Sequence, residues 1–404
     1  MILKIAWRNI WRNPLRSSVV LISIVLGIWA GLFIISFSWG MNNQRTSGAI
    51  YSTLSHVQIH NPKFDEEEKV EYYISDKNAI TSVLDTMKMV KAYSSRTVFN
   101  GMISSALTAR AARILGVIPA AEDDVSTIPS GITQGTWFAE IDKKNPVVIG
   151  ERLAEILNVK IGNKVRLTFQ DEENNITNAA FRVSGMYKSN NSKNDELLVY
   201  MRQKDLQKHL KGDYVHEIAI LTDETQNAEL LEQKLLAFFP QDSVKSWKKL
   251  SPVLAYADQM LAISLILVMS IIMLALMFGI INNMLMAILE RKHELGMLQA
   301  VGMNKRKLFS MIVVETIFIG LVGGPIGMFL GWITIAYFGT VGVDLSIVGE
   351  GLESFGMSSR VYFAIDPSFY GIISLMVVIM ALLASLYPAF KALRLNPVEA
   401  IRAI

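Results

Sequence analysis

The sequence predicts an α-helical integral membrane protein with four transmembrane helices and a large α+β extracytoplasmic (periplasmic) domain inserted between helices 1 and 2. Three observations lead to this fold class. Hydrophobic residues make up 51% of the 404 residues, and charged residues only 19%. The apolar residues are concentrated in four runs of about bilayer length. One long polar stretch, residues 41–257, separates the first two runs and is large enough to form its own core.

The four apolar runs predict spans at residues 17–40, 258–289, 308–339 and 368–388. The first run follows basic residues, as a signal peptide does, but it is too long for a signal core and no small-x-small cleavage site follows it. We therefore expect it to remain as a span. The other predicted segments are an amphipathic interfacial helix (1–16), the outer domain (41–257), a coupling segment (290–307), a short outer loop (340–367) and a tail (389–404).

The distribution of Lys and Arg predicts the orientation of the spans. Basic residues cluster before the first span, between the second and third spans, and after the fourth. The loop between the third and fourth spans carries only Arg360 against four acidic residues. Because Lys and Arg are retained on the cytoplasmic side, both termini and the coupling segment are predicted to be cytoplasmic, and the large domain to be periplasmic.

The first residues form a predicted amphipathic helix at the membrane surface. Lys4, Arg8 and Arg12 recur every four residues and line one face, with Trp7 and Trp11 beside them. Pro14 is expected to end this helix before the first span begins. The helix suits a topology anchor, and a gating role is the alternative.

The second span is predicted to be unusually long. Helical patterning extends from about residue 253 to 289 without a proline, which corresponds to roughly 55 Å at 1.5 Å per residue. A helix of this length exceeds the hydrocarbon core of about 30 Å and is suited to carry force out of the membrane. The alternative is a bent or interrupted helix around Gly279, Asn282 and Asn283.

Two sets of residues within the spans are candidates for particular roles. Flexible or bulky apolar side chains are candidates for a substrate cavity, with ordinary helix packing as the alternative: Phe33, Phe37, Met269, Met273 and Met277. Small residues at four-residue spacing allow close helix approach, either within one subunit or between two: Gly27, Gly31, Gly323, Gly327 and Gly331.

The segment between the second and third spans is too charged for the bilayer and too regular for a flexible loop. Ile288, Leu295, Leu298 and Val301 are predicted to form one apolar face of a short helix, and Gly302 is a suitable stop signal. Such a helix fits a groove on a cytoplasmic partner. Periodicity alone also allows a connector at the membrane surface.

Four stretches together resemble the FtsX/MacB-like family of ABC transporter permeases. They are AWRNIWRNPLRS near the amino terminus, ERKHELGMLQAVGMNKRKL in the coupling segment, VVETIFIGLVGGPIGMFLG in the third span, and YPAFKALRLNPVEAIR in the carboxy-terminal part. The resemblance implies an FtsX-like permease domain over residues 256–400, a MacB-like core over 41–257, and a location in the bacterial inner membrane. It also implies that these residues contact an ATPase: Glu290, Arg291, Glu294, Leu295, Gly296, Leu298, Ala300, Gly302 and Lys305. Gln299 stands where the family usually has Arg or Lys.

The outer domain resembles the lipoprotein-releasing branch, the LolC/LolE type. The stretches that carry this likeness are SHVQIHNP, RILGVIPAAED and IGERLAEILNVKIGNKVRL. Alternating strand and helix signals predict an α+β domain, with a strand-helix-strand unit over 146–169 and a hairpin closed near Asn174. The branch's extended hook would fall near residues 170–179, where this sequence has only a short polar hairpin. Direct capture of a lipoprotein carrier is therefore not implied.

Catalytic motifs are missing from the sequence. It contains no phosphate-binding loop, no H-E-x-x-H pair and no G-x-S-x-G elbow, and the spacing of His56 and His60 alone does not indicate a metal site. It has no cysteine, and its net charge of +3 does not indicate nucleic-acid binding. We therefore expect a non-catalytic permease that binds no cofactor, with ATP and Mg on the partner ATPase.

The resemblance implies several partners and leaves three functions open. The partners are a separate LolD-like ABC ATPase dimer, a second permease copy or paralogue, and membrane lipids. A periplasmic lipoprotein carrier or adaptor stays an open candidate. The first function is extraction of lipoproteins from the outer leaflet of the inner membrane. The alternatives are MacB-type efflux of small molecules or peptides and FtsX-like activation of a cell-wall hydrolase.

Overall fold

The computed structural model of the chain describes residues 2–12, 14–138, 145–171, 175–210 and 212–394. The chain divides into two compact units. One, called the membrane unit, comprises Met1–Met41, Gln259–Asp344 and Arg360–Ile404. The other, the outer unit, comprises Asn42–Asp258 and Leu345–Ser359, so that part of the predicted short loop 340–367 belongs to it.

The α-helices of the described residues range from single turns to rods of more than 35 residues. In chain order they are α1 (Ile2–Arg12), α2 (Pro14–Ala49), α3 (Phe64–Glu67), α4 (Lys77–Thr86), α5 (Pro119–Val125), α6 (Glu151–Leu157), α7 (Ser192–Leu197), α8 (Gln203–Leu210), α9 (Ala228–Phe238), α10 (Trp247–Leu250), α11 (Pro252–Glu290), α12 (Lys292–Ala300), α13 (Lys305–Val341), α14 (Gly349–Ser354) and α15 (Ser368–Leu393).

The strands belong to one ten-stranded sheet and one short pair. They are β1 (Val57–His60), β2 (Val90–Ser104), β3 (Ala109–Val117), β4 (Ile132–Gly135), β5 (Pro146–Gly150), β6 (Lys164–Gln170), β7 (Ile176–Tyr187), β8 (Leu198–Arg202), β9 (Glu217–Thr222), β10 (Ser243–Ser246), β11 (Val343–Asp344) and β12 (Arg360–Val361).

Among the described residues, four helices are long and apolar enough to cross a membrane: α2, α11, α13 and α15. This confirms the prediction of four membrane helices. The predicted first span ends near residue 40, but α2 continues to Ala49, and a π-helical turn extends it to Leu54. The sequence after residue 40 is polar yet free of proline, so hydropathy falls while the helix can continue.

The two long central helices are continuous. α11 contains 39 residues and passes through Gly279, Asn282 and Asn283 without interruption, so the alternative of an interrupted helix is wrong. α13 contains 37 residues and includes Pro325. α15 includes Pro388 and extends to Leu393, beyond the predicted span end at 388. The carboxy-terminal motif from Leu395 onwards lies outside the described residues.

The outer unit is built on the long strand β2. The amino-terminal half of β2 pairs with β9, and its carboxy-terminal half pairs with β3 and β6. One hydrophobic core lies around β1, β9, α4 and α9, and a second lies around β5, β6, β7 and α6. The predicted strand-helix-strand unit is confirmed as β5, α6 and β6, and the predicted hairpin as β6 and β7. Residues 172–174 of its turn lie outside the described part of the chain.

Candidate coupling site and the membrane helices around it

The helix α12 between the second and third apolar helices has a defined end. The amide of Gly302 donates to the carbonyl of Gln299 at 3.1 Å, and the amide of Met303 donates to the carbonyl of Leu298 at 2.9 Å. Gly302 has a φ of +99°, a left-handed conformation that glycine adopts at little cost. These two bonds satisfy carbonyl groups of the last helical turn, as expected of a glycine stop.

The prediction that four apolar residues of this segment share one face is wrong. Ile288 and Leu295 are buried in the hydrophobic core of the membrane unit. Leu298 is 37% exposed and Val301 is 89% exposed, and Met297 beside them is 44% exposed. The packing of neighbouring helices decides which apolar residues are covered, and the periodicity of one segment cannot show this. The exposed set Met297, Leu298 and Val301 is called the apolar tip below.

The remaining predicted coupling residues differ in exposure. Gly296 is buried, whereas Glu290, Ala300, Gly302 and Lys305 are exposed. Gln299 has a buried side-chain nitrogen without a hydrogen-bond partner among the described residues.

Arg291 is directed into its own chain. Its Nη1 donates to Oε1 of Glu315 in α13 at 3.2 Å. Both side chains are largely covered, with 13% and 9% exposure respectively. A charge in such a position needs a partner, because burial of an isolated charge is very costly. The acidic residue in the third span therefore has a structural partner in the coupling segment.

Glu294 is paired with the amino-terminal helix. Nη1 of Arg12 donates to Oε2 of Glu294 at 2.8 Å, and Nη2 of Arg12 donates to Oε1. The hydrogen bonds from the Arg12 guanidinium lower the pKa of the Glu294 carboxyl group. The two forked bonds fix the relative orientation of the two groups as well as their separation.

The candidate cavity residues fill helix interfaces of the membrane unit. Met269 and Met273 are buried in its core, and Met277 packs against that core. The ring of Phe363 lies 5.1 Å from that of Phe33 and 5.6 Å from that of Phe37. In this chain these five side chains contribute to packing, which was the alternative interpretation of the pattern.

The predicted small residues lie where membrane helices approach closely. A Cβ atom on Gly27 or Gly31 would meet Leu276 or Met269 of α11. On α13, added Cβ atoms would meet α2: that of Gly323 would lie 2.9 Å from Ile24, and those of Gly327 and Gly331 would meet Ile28 and Leu32. Helix α2 is therefore packed between α11 and α13 within a single chain.

A groove between α2 and α11 was not predicted. Its volume is about 760 Å³, and its walls are mainly apolar. The sequence carries one signal for this groove, because Gly279, Asn282 and Asn283 interrupt an apolar run. That interruption predicted only a break in the helix. The lining residues are Val19, Val20, Ser23, Ile24, Ile272, Ala275, Leu276, Gly279, Ile280, Asn282, Asn283 and Met286.

The outer unit contains a buried ionic cluster. Nε and Nη2 of Arg96 donate to the two carboxylate oxygens of Glu122 at 3.0 and 2.7 Å. Its Nη1 donates to Glu217 at 2.6 Å and to the carbonyl of Thr53, in the π-helical turn, at 3.1 Å. Burial acts to lower the pKa of Arg96, but the two carboxylates raise it overall, so the guanidinium stays charged. The cluster ties the π-helical turn to the sheet.

The histidines of the outer unit have protein partners. Nδ1 of His56 accepts from the amide of Thr222 at 3.0 Å, and His60 contacts Gln58 and the carbonyl of His216. Within the described residues, no group of three or more His, Cys, Asp or Glu side chains is arranged to hold a metal ion.

Two family comparisons cover most of the chain. The MacB-like periplasmic core domain matches residues 17–238, and the FtsX-like permease C-terminal region matches residues 266–397. The first match alone extends over more than half of the 404 residues.

The chain belongs to the family of ABC transporter permeases with a MacB-like periplasmic core and an FtsX-like permease region.

Two relatives of this permease family align over nearly their whole length. The chain is 22% identical to the lipoprotein-releasing system transmembrane protein LolC of Neisseria meningitidis, over 97% of this chain and 95% of that protein. It is 21% identical to LolE of Haemophilus influenzae, over 98% of both chains. The periplasmic region of MacB from Actinobacillus actinomycetemcomitans aligns with 51% of this chain and 95% of its own, at 16% identity and a TM-score of 0.35.

The family matches include only one side of the ion pair between Arg12 and Glu294. Helices α12 and α13 lie within the FtsX-like region, whereas Arg12 precedes both matched regions. The ion pair between Arg12 and Glu294 therefore joins the FtsX-like region to a segment that neither family match includes.

Proposed function

We propose that this chain is the transmembrane subunit of a mechanotransmitting ABC transporter of the bacterial inner membrane. Both termini and α12 are cytoplasmic in this proposal, and the outer unit is periplasmic. A separate ABC ATPase binds ATP and Mg and docks on α12. Lipoproteins anchored in the outer leaflet are the proposed substrate, since the relatives of LolC and LolE type are named for lipoprotein release.

The apolar tip of α12 is the observation on which the docking proposal rests. Met297, Leu298 and Val301 are exposed in the polar connection between two membrane helices. The charged residues Arg291 and Glu294 are meanwhile paired within the chain. A small exposed apolar cluster beside polar residues is typical of a docking surface for a partner.

The length of α11 supports transmission of a mechanical stroke. Its 39 residues extend over roughly 58 Å, about twice the thickness of the hydrocarbon core. A continuous helix changes its length little, so a displacement at one end is carried to the other. The same helix begins in residues of the outer unit and ends at Glu290, next to α12.

Substitution of the apolar tip tests the docking proposal. We expect Val301→Glu to abolish co-purification of an ABC ATPase with the tagged chain, because a carboxylate would be buried against the partner without compensation. The matched control is Ile347→Glu, which changes a fully exposed isoleucine of the outer unit. Co-purification and ATP hydrolysis are measured for both variants. Normal ATPase recovery with Val301→Glu would contradict docking at the tip.

A further inference from the structure

We propose that α1, α12 and α13 form a charge-linked unit that delivers the motion of α12 to the first and third membrane helices as well as to the second. We call this unit the brace, and define it by the ion pairs Arg12–Glu294 and Arg291–Glu315 and the contact Trp7–Phe318. The proposal rests on the function proposed above. It assigns Arg12, Glu294, Arg291 and Glu315 as positioning residues, and not as ligands of the ATPase.

The first link joins α1 to α12. Arg12 and Glu294 are 282 positions apart in the sequence and meet through two hydrogen bonds. Only one residue separates Arg12 from the start of α2 at Pro14. A displacement of Arg12 is therefore passed along the backbone to the first membrane helix. The pair is partly exposed, with 56% and 39% of the side chains accessible, and it can open and reform at little cost.

The second link joins Arg291, the residue directly before α12, to α13 and is of a different kind. Arg291 and Glu315 are nearly covered, so their attraction is less screened and the pair is not expected to open readily. Glu315 lies in the first third of α13, on the face that also carries the buried residues Met311 and Ile312. Movement of α12 at Arg291 is therefore transmitted directly to the third membrane helix.

The third link closes the unit. The Trp7 ring of α1 meets the Phe318 ring of α13 edge to face, with 5.7 Å between ring centroids. Helices α1 and α13 thus contact each other, and each is paired with a residue of α12 or directly before it, so α12 cannot shift without moving α1 or α13 or breaking a link. Docking at the apolar tip leaves all three links in place.

Charge exchange separates this proposal from direct ATPase binding by the same residues. In the purified complex of the tagged chain with its ABC ATPase, we expect Arg12→Glu and Glu294→Arg each to reduce permease-dependent stimulation of ATP hydrolysis about fivefold or more. ATPase co-purification should be retained in both variants. The double variant Arg12→Glu with Glu294→Arg should recover most of the stimulation, because the pair is restored with its charges exchanged.

The matched control for these variants is Arg8→Glu, which reverses an exposed cation one turn earlier on α1 and should leave the stimulation unchanged. The same set of two single variants and one double variant, with the charges of Arg291 and Glu315 exchanged, tests the buried link. The proposal would be overturned if the single variants lost the ATPase from the complex, if they had no effect, or if the double variant were as impaired as the single ones.

A cross-link tests the geometry without any ATPase. The chain has no cysteine, so Arg12→Cys with Glu294→Cys introduces the only two thiols. We expect a bifunctional thiol-reactive cross-linker, longer than a disulfide, to join the two thiols in membranes that contain the permease alone, and not to join the control pair Leu3→Cys with Glu294→Cys, whose first thiol lies near the other end of α1. Absence of the first cross-link would refute the brace. If it forms but the unaltered chain recruits no ABC ATPase, the proposed function fails and the geometry stands.

Discussion

The buried ring of His216 in the outer unit is held by two backbone partners. The amide of Val98 donates to Nδ1 of His216 at 3.2 Å, and Nε2 of the same ring donates to the carbonyl of Val70 at 2.9 Å. This arrangement needs the neutral ring, with its proton on Nε2. Burial, the largest cause, lowers the pKa of His216 from 6.5 to about 4.

The depressed pKa of His216 predicts a loss of outer-unit stability in acid. The unfolded chain binds a proton at this residue below pH 6.5, whereas the folded chain does so only near pH 4. The contribution is therefore complete above pH 6.5 and declines as the pH falls from 6.5 to 4, by up to about 3 kcal/mol. Amide hydrogen exchange of the outer-unit strands in the full-length chain measures it.

The comparison variant for this measurement is His216→Gln. Its amide can accept from Val98 and donate to Val70 but does not titrate. We expect the difference in unfolding free energy between the original chain and this variant to change across pH 4–6.5 and to be constant above pH 7. A difference that is independent of pH would show that His216 does not titrate as its burial indicates.

Ion pairs between residues far apart in the sequence could not be predicted from the sequence. The resemblance to the family motif predicted that Arg291 and Glu294 contact an ATPase. It did not predict their partners within the chain, because only helix packing brings Arg12 and Glu315 next to them. The burial of Arg96 with Glu122 and Glu217 had no sequence signal either, since the three residues lie on β2, α5 and β9.

At the scale of elements, the membrane helices were the most predictable feature. A span depends on local hydropathy and length, and both can be counted along the chain. The long strand β2 was not predicted, because its residues contribute to three different hydrophobic clusters and lack one alternating pattern. The exposure of Leu298 and Val301 was also missed, since burial of α12 depends on α1 and α13 and not on its own periodicity.

Helix packing predicts that substitution of two glycines in the apolar helices changes stability to very different extents. An added Cβ on Gly327 would lie 3.0 Å from both the Val25 carbonyl oxygen and Cβ of Ile28, whereas nothing lies within 4 Å of one added to Gly279. We expect Gly327→Leu to lower the free energy of unfolding by about 1–3 kcal/mol, because α2 and α13 must separate. Gly279→Leu should have a much smaller effect, since its side chain enters the open groove.

Thermal unfolding of the purified full-length chain in detergent compares the two variants under the same conditions. Equal midpoints for Gly327→Leu and Gly279→Leu would contradict the packing of α2 against α13. A lower midpoint for Gly279→Leu alone would instead indicate that the groove is closed in solution.

At the scale of the whole molecule, two helices link the units through continuous backbone. Helix α2 begins in the membrane unit and ends in the outer unit, and α11 has its first residues in the outer unit and the rest in the membrane unit. The π-helical turn that follows α2 is held by Arg96 of the sheet. This bond anchors the carboxy-terminal end of the α2 rod within the outer unit.

Depletion of the chain tests the proposed substrate. If the stroke extracts lipoproteins from the outer leaflet, depletion in the source organism should leave mature lipoproteins in the inner membrane, where fractionation and immunoblotting detect them. Complementation with the unaltered chain should restore sorting, whereas Val301→Glu should not, because its apolar tip no longer docks the ATPase. Normal sorting during depletion would exclude lipoprotein release while leaving ATPase docking intact, and the groove between α2 and α11 would then be the place to seek another amphiphilic substrate.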